Sequence, residues 1–127
     1  MPYYKTQDLA TYLAMYRETI GFIDNIMSQN PGCKFIFLGD FNCNIYDINH
    51  CYSKLVRQLM NKHHLVSAFD ASPDFDLQSS FTRFDKKTNS YTLIDGVLFS
   101  DSFKPCIDNV RISNYGDNVN HPNCEKV

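Results

Sequence analysis

The stretch Lys34-Phe35-Ile36-Phe37-Leu38 runs straight into Gly39-Asp40-Phe41-Asn42. A short, almost continuous apolar run reads as a strand, and in an α/β arrangement as a strand covered on both faces. This one stops on a carboxylate and an amide one residue apart, which constrains the chain more than any other feature. In sheets flanked by helices, ligands gather at the carboxyl ends of strands. The same polar pair also suits a tight turn, because Asp and Asn side chains bond their own backbone there.

The rest of the chain supplies layers for that strand. Over residues 8–29, Leu9, Tyr12, Leu13, Tyr16, Ile20, Ile23 and Met27 recur at three- and four-residue spacing. The spacing predicts a helix with one apolar stripe. Thr6 is its expected N-cap, and Asn30-Pro31-Gly32 its stop. Residues 39–50 read as a polar loop and 51–63 as a second helix, with Leu55, Val56, Leu59, Met60 and His63 on one side. His63-His64 ends that helix, where a cation meets the negative end of the dipole. These two, with His50, read as structural or solvated. Residues 67–79 read as a loop containing Pro73. "SSFTRF" and "YTLIDGVLF" read as a hairpin across "DKKTN", with Lys86-Lys87 a solvated turn and Val110–Ile112 one more short strand. Helix, strand, helix and strands in that order predict an α/β fold with a mixed sheet layered by helices.

Size and charge narrow the possibilities. A chain of 127 residues makes one domain. Its formal charge of -2 provides no general basic field, so capture of nucleic acid would need a local patch or a basic partner. The five Cys are odd in number and form no Cys-x-x-Cys pair, which argues against a disulfide framework or a zinc knuckle. Buried free thiols in a reducing compartment are expected instead. No apolar run approaches the roughly 18 residues of a membrane span. The segment Met1–Leu9 lacks the shape of a signal peptide. An intracellular protein, cytoplasmic or nuclear, is expected.

Two further residues can carry chemistry. Asp95 lies within the apolar Thr92–Phe99 run, where a carboxylate is costly unless it is paired or near water. His121 lies in a late polar loop. Such a carboxylate and a distant histidine make a natural pair, because the acid fixes the tautomer and favours the imidazolium. A second acid near that histidine could orient or deprotonate a water. Each has a plainer reading: Asp95 as a bulge-associated strand residue, His121 as a surface histidine.

The order of "IFLGDFN", "SYTLIDGVLFS" and "GDNVNHP" resembles the endonuclease/exonuclease/phosphatase superfamily, the DNase I-like fold. The longer phrases "NPGCKFIFLGDFNCNIYD" and "TRFD…SYTLIDGVLFS" are similar to the endonuclease domain of non-LTR (LINE-type) retrotransposons, over roughly residues 2–122. The resemblance implies a four-layer α/β/β/α sandwich that hydrolyses a DNA phosphodiester with Mg²⁺. It implies that Asp40 orients or deprotonates the attacking water and that Asn42 donates to the developing phosphorane charge. Asp95 would support the catalytic His121, and Thr82 would lie beside the substrate. DNA is the implied partner, with a fused reverse transcriptase and no membrane.

The sequence departs from that family in three places. Val119-Asn120-His121 stands where the family has Ser-Asp-His, so Asn120 replaces a metal-associated carboxylate. Mg²⁺ relies on carboxylates, so Asp40 and Asn120 are expected to make only a weak metal site. The family's first half supplies an Asn and the principal metal-binding Glu, and "MPYY" resembles the stretch that follows that half. The family's last strand, after His-Pro, has no counterpart in "NCEKV". Residues 1–127 are therefore expected to form one partial domain, inactive alone, with an exposed sheet edge and apolar face. Two other readings stand beside this one: a non-catalytic remnant serving as an interaction module, and a phosphatase or phosphodiesterase of the same superfamily acting on a lipid head group.

Overall fold

The computed structural model describes residues 8–77 and 80–112. Helix α1 spans Leu9–Gln29 and is capped by Asp8, whose carboxylate accepts the Thr11 N–H at 3.3 Å. Thr6, the expected cap, lies outside the described residues. Asn30 closes the helix by donating its side-chain amide to the Ile26 carbonyl at 2.8 Å. Tyr16, Ile20 and Met27 are buried along the apolar stripe, with Leu13 and Ile23 packed beside them. Leu9, at the start of the stripe, stays exposed.

Helix α2 spans Cys51–His63, the bounds its periodicity predicts. His50 caps it, accepting the Tyr52 N–H on Nδ1 at 3.1 Å, and His64 ends it in the left-handed region at φ 52°. The His50 reading as structural is thus met by a specific bond. The two helices pack against each other, with the Tyr16 and Tyr52 rings stacked at 3.8 Å between centroids. At the far end Asp24 of α1 meets His63 Nε2 at 2.6 Å and Lys62 Nζ at 2.9 Å.

Five strands follow: β1 (Ile36–Asp40), β2 (Leu65–Ser67), β3 (Arg83–Asp85), β4 (Ser90–Thr92) and β5 (Asp95–Ser100). A short helix, α3 (Ala68–Ala71), and a 3-10 helix (Asp101–Cys106) complete the described elements. One sheet has the order β1-β5-β2 and the other pairs β3 with β4. The fold is of the α/β class, and among the described residues every ladder is antiparallel where a mixed sheet was expected. The reason lies in β5, which runs against both neighbours and separates β1 from β2.

The hydrophobic core fills the space between the helix pair and the inner face of the three-stranded sheet. Tyr16, Ile20, Met27, Val56 and Leu59 meet Leu65 and Leu98 there, with Phe37 partly buried beside them. Each fully buried aliphatic or aromatic side chain of this kind stabilises the fold by about 1.5–3 kcal/mol. The chain after β1 contributes as well. Phe41, Cys43 and Ile45 point into the core while Asn42 and Asn44 point away. Beyond Asp40 the segment is the expected loop, made of bends and turns up to His50, and it lies as a strap over the core with every second residue from Phe41 to Ile45 buried.

Four other expectations change. β1 lies at a sheet edge with Ile36 and Leu38 exposed, so it is not covered on both faces. The long Thr92–Phe99 run does not form one strand: β4 ends at Thr92, Leu93 and Ile94 belong to neither strand, and β5 begins at Asp95. Val110–Ile112 belongs to no strand. The thiols of the described residues are free, but only Cys43 is fully buried; Cys33 and Cys106 are exposed. Among the described residues no helix is long and apolar enough to cross a membrane.

Candidate functional site

The site forms where β1 ends and β5 begins. Gly39 has φ 147°, a region that side-chain-bearing residues rarely enter, and it pairs across the ladder with Gly96. One residue on, Asp40 stands directly opposite Asp95. The Phe41 N–H donates to the Ile94 carbonyl at 2.7 Å, which makes 41/94 the hydrogen-bonded pair and 40/95 the closer, non-hydrogen-bonded one. Two carboxylates at such a position repel each other. Asp95 is not buried within an apolar strand, as its sequence context suggested. It is the strand's first residue, half-buried, and so remains near water.

Backbone bonds hold both acids in place. Asp40 Oδ1 accepts the Asn42 N–H at 2.7 Å. Asn42 sits in the left-handed region at φ 52°, a conformation Asn tolerates better than most residues. This amide therefore has a backbone reason to be there, alongside any chemical one. On the other strand, Thr82 Oγ1 accepts the N–H of Ile94 at 3.0 Å and of Asp95 at 3.1 Å. Thr82, carried as a residue beside the substrate, thus positions the start of β5.

The strap beyond Asn42 repeats the device. Asn44 accepts from Tyr46 N–H at 2.9 Å, and Asp47 from Asn49 N–H at 3.1 Å. The helices then grip it from below. Tyr16 donates its hydroxyl to the Phe41 carbonyl at 2.8 Å. Ser53 and Arg57 both donate to the Ile45 carbonyl, at 2.9 and 2.6 Å. Tyr46 donates to Ser67 Oγ at 2.9 Å, and burial pushes its hydroxyl up to about 12. Burial likewise raises the Cys43 thiol to about 11, so it stays protonated near neutral pH.

A cleft of about 580 Å³ opens between the strap and the β3–β4 hairpin, lined by Asn42, Asn44, Asp47, His50, Arg83 and Tyr91, among others. Asn42 faces this cleft; Asp40 lines a separate apolar groove between α1 and β1, and Asp95 a small crevice beside Tyr46. The structure thus brings Asp40, Asn42, Thr82 and Asp95 to one corner without gathering them around one cavity. Asn120 and His121 lie outside the described residues. Among the described residues no group of three or more His, Cys, Asp or Glu side chains converges as a metal site.

Sequence reasoning missed the gripping residues. Tyr16 looked like one more member of an apolar stripe, and no motif or spacing singled out Ser53 or Arg57. The alternation Phe41-Asn42-Cys43-Asn44-Ile45 was the available signal for the strap. No family model, curated protein or solved structure matches the chain.

Proposed function

We propose that the corner formed by Asp40, Asn42 and Asp95 belongs to a phosphodiester hydrolase of the endonuclease/exonuclease/phosphatase type, with DNA as substrate and the four-layer sandwich as its complete fold. The observation that supports this most is the cross-strand pairing of Asp40 with Asp95, two acids far apart in sequence brought to one sheet end. Like charges placed in direct register weaken a sheet, and strain of this kind collects at functional sites.

In this reading Asp40 handles the attacking water. Its Oδ1 is held by the Asn42 N–H, which leaves Oδ2 to accept from a water and orient it. Asn42 lines the cleft and donates to charge developing on phosphoryl oxygens. Asp95, fixed through Thr82, supports His121. The described residues do not by themselves fit Mg²⁺, which takes about six oxygens in near-octahedral geometry. Two facing carboxylates, one already bonded to a backbone N–H, fall short of that set.

A plasmid-nicking assay tests the reading. Alone in Mg²⁺, the chain is expected to leave supercoiled DNA intact. Fused behind the first half of a retrotransposon endonuclease domain, it is expected to nick, and Asp40→Ala, Asp95→Ala and His121→Ala should each lower the rate by about 10²–10⁴. Circular dichroism establishes that each fusion folds. A folded fusion that nicks no faster than its Asp40→Ala variant would sink the proposal, and turnover of a lipid head group instead would replace DNA as the substrate.

A further inference from the structure

We infer that the free edge of β1 is a self-association surface, on which a second copy of this chain pairs antiparallel to form a two-fold dimer. The inference concerns residues 1–127 by themselves and does not use the hydrolase chemistry, although the strands that complete a four-layer sandwich would compete for the same edge. Among the described residues β1 is bonded on one side only, to β5. The Ser100 N–H bonds the Phe35 carbonyl and the Phe41 N–H bonds the Ile94 carbonyl, so the odd-numbered residues of β1 face β5. The backbone groups of Lys34, Ile36, Leu38 and Asp40 therefore aim at the open edge. Their side chains share the outer face, where Ile36 is 56% and Leu38 75% exposed. An edge with bare backbone groups and two large exposed apolar residues is a template for another strand.

Charge selects the occupant and its register. In a two-fold pairing centred on Phe37, Ile36 faces Leu38 of the second copy and Lys34 faces its Asp40. Each of these residues then exchanges both backbone bonds with its partner. A shift of two residues either way sets Asp40 against Ile36 or Gly32 and leaves Lys34 without an acid. The centred register also relieves the site. It places the second copy's lysine beside Asp40, on the side opposite Asp95, so the row across the sheet reads acid, acid, base. The edge is thus complementary to itself, as a two-fold interface requires.

Sedimentation velocity on the full chain, read across concentration, is expected to show a monomer–dimer equilibrium. Lys34→Asp and Asp40→Lys should each raise the dimer dissociation constant at least about tenfold, and the two together should restore it. Amide exchange on the wild-type chain gives a reading that needs no variant: the Ile36 and Leu38 amides should gain protection in step with dimer. A chain that stays monomeric, a dimer indifferent to both reversals, or open-ended assemblies would each overturn the inference. So would protection of those amides in the monomer, which would mean that another segment of the same chain covers the edge.

Discussion

Asp40 and Asp95 face each other in direct register across the β1–β5 ladder, one residue from the facing pair Gly39 and Gly96. The two acids sit where cross-strand side chains come closest. A fold selected for stability alone would not place like charges there. Asp95→Asn should therefore stabilise the chain by about 0.2–1 kcal/mol near neutral pH. Asp40→Asn should do the same, since an amide oxygen can still accept the Asn42 N–H. Urea unfolding at low and high salt checks this, because the gain should shrink as salt screens the repulsion. Destabilisation by both substitutions would show that the carboxylates are held by favourable contacts instead.

Thr82 controls where Asp95 sits. Its hydroxyl is the acceptor for two successive backbone N–H groups at the start of β5. Thr82→Val preserves shape but removes that acceptor, and should cost about 1–3 kcal/mol. Thr82→Ser should retain most of the stability. Urea unfolding of the two variants separates the roles, because a residue needed only for its methyl group would tolerate Val better than Ser.

These contacts show which parts of the molecule could be read from the chain alone. Helix α2 was legible to the residue, since Val56, Leu59 and Met60 keep helical spacing and the His63-His64 pair marks its end. β2, with three residues, and α3, with four, are too short to leave a period. β1 was recognised as a strand, but its apolar run overstated its cover, because composition does not reveal which face has a layer against it. The acids of the site were visible as residue types. Their juxtaposition was not, because register depends on a ladder between segments more than fifty residues apart. Leu93 and Ile94 hid the break before Asp95 by continuing its apolar run.

Asp24 ties the ends of the two helices together and should make stability depend on pH. Hydrogen bonds from His63, and next from Lys62, hold its carboxyl below the usual carboxylate range. A depressed folded value means the stabilisation is complete above the unfolded value of about 3.9 and is lost as pH falls through the folded one. The side chain is partly exposed, which limits the effect. Asp24→Asn should cost about 0.5–1 kcal/mol at neutral pH and lose less stability than wild type on acidification below about pH 4. Thermal melts across that range measure both limbs.

Tyr16 gives the sharpest test of how the strap is held. Its hydroxyl is fully buried, donates to the Phe41 carbonyl at 2.8 Å and lies 3.9 Å from Cys43 Sγ. Burial pushes that hydroxyl far above the ordinary tyrosine range, so it remains a neutral donor at any working pH. Tyr16→Phe keeps the ring stacked on Tyr52 and removes this bond together with the weaker contact to Cys43 Sγ. The Phe41 carbonyl then loses its helix-borne donor, at a cost of about 1–2 kcal/mol. Because Phe41 lies between Asp40 and Asn42, the loss should also appear locally, as faster amide exchange over residues 40–46 than over α2. A loss confined to global stability, with the strap's exchange following the rest of the core, would show that the self-bonded turns hold Asp40 and Asn42 without help from Tyr16.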